Sequence, residues 1–261
     1  MIDIHCHILP GIDDGPATLD ESIEMCRIAA ADGIETIVAT PHFKPGTFDH
    51  AGVDIIRGVS ALNDELKRQG ITVKILPGAD VGVTPELAGH LARDPFLSIN
   101  GTGRYFLAEL PHETIPAKWD QFLLALRRQG VVPILTHPER NRWFLNRREA
   151  LVSYVLAGGL VQITAMSVTG RVGADVREYC RFLLRRNLVH VIATDAHSID
   201  QRPPILSQAV KVASDLIGES AASMLVRDNP RAIIEGRPFA APEPVMTTEK
   251  KRSWFQRVLD I

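Results

Sequence analysis

Short apolar and β-branched runs recur along this chain, and each is followed by polar residues and then by a helical pattern. Thr18 and Glu21 predict the capping box of a first helix, and Gly33 fits the C-terminal cap of that helix. Further helices are predicted over residues 54–68, 119–128, 147–156, 176–186 and 206–216. The predicted strands cover residues 2–5, 36–39, 73–76, 105–107, 131–135, 160–163 and 189–193. This alternation indicates a parallel sheet whose outer face is covered by helices.

Histidine, aspartate or glutamate follows six of these seven strands, usually at intervals of about 28–38 residues. The longer step from His137 to Asp195 spans two units, and the strand at 160–163 lies between them. One βα unit of a barrel takes about 30 residues, and the C-terminal ends of its strands converge on one mouth. We therefore predict an α/β fold, a seven-stranded (β/α) barrel with the functional site at this end. A doubly wound open sheet is the alternative, and it would spread these residues along an edge.

The side chains at the strand ends are imidazoles and carboxylates, and the sequence places no lysine beside them to neutralise the acids. Clustered carboxylates are costly unless cations compensate their charge. Five of the nine histidines fall at strand ends, which chance placement of structural histidines does not explain. Imidazole with carboxylate suits Zn, Mn or Fe, and so many ligands exceed the needs of one ion. The residues that predict this metal site are His5, His7, His42, Asp80, Glu109, His137, Asp195 and His197. His5-x-His7 ends a strand, where alternation sends both rings to one side, and Asp195-x-His197 is expected to repeat that geometry.

Composition narrows the class of protein and its compartment. The formal net charge of −2 argues against nucleic acid as the main partner, because binding to a phosphate backbone needs a basic surface. No apolar run approaches the roughly 18–20 residues that span a bilayer, and residues 1–5 do not resemble a signal peptide. Three widely spaced cysteines form no disulfide pattern. These features predict a cytoplasmic enzyme.

Four short motifs match a known superfamily. They are HCH at residues 5–7, TPH at 40–42, THPERNR at 136–142 and TDAH at 194–197. Together they resemble the PHP (polymerase and histidinol phosphatase) superfamily of metal-dependent enzymes. Within it, residues 1–15 (MIDIHCHILPGIDDG) resemble the bacterial CpsB/CapC/YwqE tyrosine-protein phosphatases. The resemblance extends over residues 1–237.

The resemblance implies a distorted PHP-type barrel that holds two or three ions, most often Mn²⁺, with Fe or Zn as alternatives. It implies hydrolysis of phosphotyrosine on a bacterial tyrosine autokinase that controls exopolysaccharide or capsule synthesis. It also adds Asp14 to the ligands predicted above. Asp80 departs from the family pattern, which usually has the longer glutamate at that position, so the metal spacing or preference is expected to differ.

Arg140 and Arg202 are the predicted phosphate-binding side chains, because a planar guanidinium suits two-point contact with phosphate. A surface ion pair is the alternative role for each. The phenol that leaves when phosphotyrosine is hydrolysed has a pKa near ~10, so its departure needs little help from a general acid. Cys180 begins a C-x5-R pattern typical of cysteine-dependent phosphatases, but the stretch is leucine-rich, lacks glycine and predicts a helix. We therefore reject the cysteine mechanism.

Two other functions share the predicted metal site. One is a PHP phosphoesterase that acts on histidinol phosphate or another small phosphate monoester, and the other is a non-catalytic metal-bound binding module. The predicted domain ends at residue 237, and residues 238–261 form a proline-containing linker and a basic tail. That tail is either solvated or docks weakly to an acidic partner or an anionic membrane surface.

Overall fold

A computed structural model describes residues 1–111 and 115–245 of the chain. All seven predicted strands are present, and two short strands, β3 and β5, were not predicted. The strands are β1 (Ile2–Cys6), β2 (Thr36–Ala39), β3 (His42–Phe43), β4 (Lys74–Pro77), β5 (Asp80–Gly82), β6 (Tyr105–Glu109), β7 (Val132–Thr136), β8 (Leu160–Thr164) and β9 (Val191–Ala193). The helices are α1 (Leu19–Ala31), α2 (Gly52–Arg68), α3 (Leu87–Arg93), α4 (Trp119–Arg128), α5 (Arg142–Leu145), α6 (Glu149–Leu156), α7 (Ala165–Thr169), α8 (Ala174–Arg185), α9 (Ser207–Ile217), α10 (Glu219–Met224) and α11 (Asp228–Ile234).

Every strand pair is parallel, which confirms the predicted α/β class. The strands form a three-stranded sheet, β1-β2-β4, and a six-stranded sheet, β3-β5-β6-β7-β8-β9. β3 follows β2 after residues 40–41, and β5 follows β4 after residues 78–79. Pro41 lies in the first of these breaks and has no amide N–H to donate to a ladder. Over the described residues, the strands do not form one uninterrupted closed barrel.

Backbone hydrogen bonds connect the end of β1 to the segment that follows β9. The amide of Asp195 donates to the carbonyl of His5 at 2.7 Å, and the amide of His7 donates to the carbonyl of Ala196 at 2.8 Å. Cys6 and Ala196 form an isolated parallel bridge at the same place. The first and last strands of the chain therefore meet at their C-terminal ends.

Apolar side chains fill both faces of the strands. One buried cluster includes Ile4, Val38 and Leu107, and a larger cluster includes Phe106 and residues of the surrounding helices. Leu107 and Phe106 are neighbours on β6, so alternation along the strand sends them into different clusters. This burial on both faces explains the continuous apolar runs in the sequence.

The first helix has the predicted capping box. The hydroxyl of Thr18 accepts from the amide of Glu21 at 3.3 Å, and the carboxylate of Glu21 accepts from the amide of Thr18 at 3.2 Å. Gly33 follows the helix with φ +84°, a left-handed conformation that favours glycine. The connection from β1 into α1 contains Asp13 and Asp14, so the position of α1 fixes a loop beside the strand ends.

The described part of the C-terminal segment packs against the strands and helices. The amide of Val245 donates to the carbonyl of Arg186 at 2.9 Å, and Nδ2 of Asn187 donates to the carbonyl of Glu243 at 3.0 Å. The basic part of the predicted tail lies outside the described residues. No described helix has the length and apolar character needed to cross a bilayer.

Candidate metal centre

The nine predicted ligands converge at the C-terminal ends of the strands. His5 lies on β1, His42 begins β3, Asp80 begins β5 and Glu109 ends β6. The remaining ligands lie in the connections that leave β1, β7 and β9. All of these side chains are buried except that of Asp14, which is about half exposed. The ligands beyond the strand ends are His7, Asp14, His137, Asp195 and His197.

Their donor atoms form four overlapping groups, and within each group the atoms lie within 4.8 Å of one another. Members such as His5, His7 and Asp80 belong to more than one group, so the groups share side chains. Nε2 of His5 lies 3.3 Å from Oδ1 of Asp195, and Nε2 of His197 lies 3.3 Å from Oδ1 of Asp14. The groups are His7-Asp14-His42-His197, His5-His7-Asp80, His5-His137-Asp195 and His42-Asp80-Glu109. This overlap suits several ions held side by side better than one ion.

Two side chains that the sequence analysis missed orient the histidine rings. Oδ2 of Asp13 lies 2.6 Å from Nδ1 of His7 and also accepts from the amide of His42 at 2.9 Å. Oε1 of Gln162 lies 3.0 Å from Nδ1 of His5. A partner on Nδ1 fixes the ring and leaves Nε2 for a metal. The only sequence signals were the doubled aspartate beside Asp14 and a polar residue on an otherwise apolar strand.

Two proposed ligands have left-handed backbone conformations. His137 has φ 32° and Asp195 has φ 52°, although neither residue is glycine. Such strained residues cluster at functional sites. Asp195 and His197 do not lie on β9 as predicted, because β9 ends at Ala193 and Asp195 has a left-handed backbone; Ala196 between them forms only an isolated bridge with Cys6.

Charge in the centre is balanced between the acids and the histidines. Burial opposes protonation of His7, but Asp13 and Asp195 raise its pKa to about 9. Burial also opposes protonation of His42, and Asp80 with Glu109 raises its pKa to about 10. These two imidazoles therefore serve as cations for the surrounding carboxylates. A divalent ion would take over that role and displace their protons.

The donor set fits divalent cations. Nδ1 of His42 and Oδ2 of Asp80 are buried and have no hydrogen-bond partner among residues 1–111 and 115–245. Buried polar atoms without partners are costly, and a metal ion would satisfy both.

Lys44 overturns the expectation that no lysine neutralises these acids. Its Nζ lies 2.6 Å from Oε2 of Glu109, because β3 carries the chain past His42 and brings Lys44 alongside the end of β6. This lysine is about one-third exposed, so it sits at the mouth of the centre rather than within it.

Arg140 and Arg202 both reach the centre, and both contact Asp195. Nη1 of Arg140 lies 2.5 Å from Oδ2 of Asp195, and Nη2 of Arg202 lies 2.6 Å from the same oxygen. The two arginines line a cavity of about 80 Å³ together with six of the proposed ligands, among them His42 and His137. Each guanidinium is nearly one-third exposed and so lies where a ligand at the mouth could meet it.

Glu139 explains why Arg140 is held in place. Glu139 is fully buried beside Arg140 in the single turn Pro138–Arg140. One of its carboxylate oxygens accepts from both the amide and the hydroxyl of Thr164, each at 2.9 Å. The turn after β7 is therefore tied to the end of β8, and Arg140 is aimed at the mouth.

The remaining histidines and cysteines have other surroundings. His50 lies 2.6 Å from the carbonyl of His42, His90 packs against Phe43, and His112 lies outside the described residues. Cys180 is fully buried on α8, where burial raises the pKa of its thiol well above the usual value. A buried, protonated thiol on a helix cannot act as a nucleophile, which agrees with rejection of the cysteine mechanism.

Comparison with known proteins identifies relatives along nearly the whole chain. The CpsB/CapC family of capsular polysaccharide synthesis matches residues 1–235. Tyrosine-protein phosphatase YwqE of Bacillus subtilis is 34% identical over 257 residues, which cover 98% of this chain and 99% of that protein. The putative tyrosine-protein phosphatase CapC of Staphylococcus aureus is 36% identical over 210 residues, 80% of this chain and 81% of that protein.

Solved structures agree with the sequence relatives. Crystal structures of YwqE from Bacillus subtilis and CpsB from Streptococcus pneumoniae are described as unique metal-dependent tyrosine phosphatases. The matching chain has a TM-score of 0.89 and 34% identity, and the match covers 95% of this chain and 100% of that one. A β-aspartyl dipeptidase from Fervidobacterium islandicum, 15% identical with a TM-score of 0.55, shares the fold alone. The chain described here belongs to the CpsB/CapC family of capsular polysaccharide synthesis.

Proposed function

We propose that this protein is a metal-dependent protein-tyrosine phosphatase. The observation that carries the proposal is the set of overlapping imidazole and carboxylate groups with two arginines at their mouth. The tyrosine-phosphatase names of relatives matched over nearly the whole chain support it. The substrate is a phosphorylated tyrosine on a protein, and the family context favours a bacterial tyrosine autokinase of capsule or exopolysaccharide synthesis.

The nine predicted ligands are proposed to hold two or three divalent ions. Mn²⁺ is the proposed metal, with Fe or Zn as alternatives, because imidazole with carboxylate suits all three. Bound ions would supply positive charge to the phosphoryl group and lower the pKa of a water towards neutrality. The side chain of Asp80 is one methylene shorter than the glutamate usual in the family. Its Oδ1 accepts a long hydrogen bond, 3.5 Å, from the hydroxyl of Thr136.

Arg140 and Arg202 are proposed to bind the phosphoryl oxygens. Both guanidinium groups contact the same carboxylate oxygen of Asp195. That oxygen therefore marks the point where the two positive charges come together. A phosphoryl group at the mouth would meet the same guanidinium groups and keep its charge balanced as the bond to the leaving oxygen breaks.

An apolar cavity beside the mouth supports an aromatic substrate. It has a volume of about 300 Å³ and shares Glu109 with the smaller cavity between the arginines. Val83, Leu110 and Pro111 line it together with Lys44. A tyrosine ring there would be removed from water while its phosphate lay among the arginines. Histidinol phosphate has no comparable phenyl ring to bury.

We further infer that the two sheets act as one distorted seven-stranded barrel over residues 1–237. The support is that β3 and β5 extend β2 and β4, and that β1 is hydrogen-bonded to the segment after β9. Residues 238–261 are proposed to form a separate C-terminal segment. The compartment consistent with a kinase substrate is the cytoplasm.

The decisive experiment compares a phosphotyrosine peptide with histidinol phosphate. Initial rates are measured on chelator-stripped protein before and after addition of Mn²⁺. We expect turnover to return with Mn²⁺ and to favour the peptide. A preference for histidinol phosphate would move the protein to the small-molecule phosphoesterases, and absence of turnover on both would point to a non-catalytic metal-bound module.

A further inference from the structure

A second large cavity lies at the opposite end of the strands from the metal centre. Its volume is about 460 Å³, and its wall includes Tyr105 and Leu160, the first residues of β6 and β8. The segment at residues 238–244 covers it, with the rings of Phe239 and Tyr105 6.4 Å apart. We call this space the floor cavity. None of the proposed metal ligands lines it, so it is a separate site.

Three nitrogen-bearing side chains line the floor cavity: Arg104, Arg127 and His190. Nε of Arg104 is buried and has no hydrogen-bond partner in the described parts of the chain. His190 is 3% exposed, and its Nδ1 accepts from the amide of Val161 at 3.1 Å. The proton of the neutral ring is therefore on Nε2, which can donate to a ligand in the cavity.

The charge of the floor cavity is positive and is only partly balanced. Two guanidinium groups line it against one carboxylate, that of the exposed Glu243. Burial, with the nearby Arg127, lowers the pKa of His190 to about 4, so the ring is a neutral donor at pH 7. A buried donor without an acceptor is costly in a native protein, so the unpaired Nε of Arg104 is evidence for a missing partner.

We propose that the floor cavity binds a phosphate group, either free or as a small phosphate ester. Two guanidinium forks and an imidazole N–H match the several acceptor oxygens of one tetrahedral anion. The aromatic and aliphatic part of the wall, with Tyr105, Phe239 and Leu160, would pack against the organic part of an ester. Because residues 238–244 cover the cavity, a bound ligand would also hold the C-terminal segment against the strands.

The test counts anion sites by titration calorimetry on the Mn²⁺-loaded full-length protein. The probes are inorganic phosphate and phenylphosphonate, a non-hydrolysable analogue of a phosphate ester. The variants are Arg127→Gln, Arg104→Gln and the double substitution, and Arg128→Gln is the matched control. Arg127 and Arg128 are neighbouring exposed residues of α4, but only Arg127 lines the cavity. Circular dichroism checks that each variant is folded.

Wild-type protein and the Arg128→Gln control are expected to bind two anions, one at the metal centre and one in the floor cavity. Each single substitution is expected to weaken the second site at least tenfold, and the double variant to retain one site. Tighter binding of phenylphosphonate than phosphate at the second site would identify an ester as the ligand class, and the reverse would identify free phosphate. A single anion site in the wild type that the double variant retains, or two unchanged sites in the double variant, would overturn the proposal.

Discussion

At the scale of single residues, the centre depends on side chains that hold the ligands as well as on the ligands themselves. Asp13 contacts His7 through one oxygen and the backbone of His42 through the same oxygen, so it fixes two proposed ligands at once. Partners of this kind tune metal affinity nearly as strongly as the ligands do. Arg140 acts differently, because it faces the mouth and would meet substrate.

Replacing Asp13 with asparagine should weaken metal binding without removing a ligand. The neutral amide no longer orients and polarises the ring of His7, so we expect Mn²⁺ affinity to fall about 10–100-fold. Titration of the stripped protein with Mn²⁺, followed by activity and by bound metal, measures the change. Asp20→Asn, an exposed change in the first turn of α1, is the control. Equal Mn²⁺ affinity in Asp13→Asn and Asp20→Asn would show that Asp13 does not support metal binding.

Replacing Arg140 with glutamine should reduce kcat/KM on a phosphotyrosine peptide by about a hundredfold, the usual cost of losing one electrostatic contact to the transition state. Metal content should stay at the wild-type level, because the nine predicted ligands remain. Arg142→Gln, an exposed change two residues further on, serves as the control. If the loss of rate merely follows a loss of bound metal, the phosphate-binding role of Arg140 is wrong.

At the scale of secondary-structure elements, the junction of β8 and β9 combines strand geometry with a buried titratable ring. His190 precedes β9, and its amide donates to the carbonyl of Val161 on β8 at 2.9 Å. Nδ1 of the His190 ring accepts in turn from the amide of Val161. The imidazole of His190 thus accepts a backbone hydrogen bond from β8. It can do so only while Nδ1 carries no proton, so the ring must be neutral.

This geometry predicts a pH dependence of stability. The pKa of His190 is lowered to about 4 by burial and by Arg127, whereas an unfolded chain titrates near ~6.5. The unfolded state therefore binds more protons between these values, so stability falls as pH decreases through this window. Between pH 7 and pH 5 the loss from this one ring is about 2 kcal/mol.

The measurement is urea unfolding of wild type and His190→Asn at both pH values. Asparagine can still accept from the amide of Val161 but does not titrate, and the other histidines cancel in the comparison. The variant's deficit relative to wild type should shrink by about 2 kcal/mol at pH 5. His90→Asn, at a half-buried position, controls for the loss of a histidine in general. A deficit that stays constant between the two pH values would contradict the argument.

The sequence predicted the longer elements because continuous apolar runs and capping residues are local signals. β3 and β5 were missed because strands of two or three residues carry no periodic pattern. Their existence brings Lys44 to Glu109, a contact that no local pattern indicates. The contacts of Asp13 and Gln162 also depend on how a loop and a distant strand meet, as does the left-handed backbone of Asp195. Eight of the ligands were visible in sequence because each follows or lies at the end of a strand that was itself predictable, whereas Asp14 was added only by the family resemblance.

At the scale of the whole molecule, the centre joins the first strand to the segment that follows the last strand. His5 lies on the first strand and His7 directly after it, and Asp195 and His197 lie in the segment after the last strand. Ions held between them would bind the folded state and not the unfolded chain, and so stabilise the fold by mass action.

Metal removal should therefore destabilise the whole protein. With free Mn²⁺ about a thousandfold above Kd, one site contributes about 4 kcal/mol to the free energy of unfolding. Thermal unfolding should show a higher Tm with Mn²⁺ than after chelation, in a single transition. Asp13→Asn should show a smaller difference at the same Mn²⁺ concentration. A Tm that is the same with and without metal would mean that these side chains hold no ion in the folded protein.

The most direct measurement is the number of metal ions per chain, determined by elemental analysis alongside turnover of a phosphotyrosine peptide as Mn²⁺ is added back. The account predicts two or three ions per chain and a rate that rises with their occupancy, because overlapping ligand groups are what a multinuclear hydrolase uses. Full turnover in protein that contains no bound metal would contradict it.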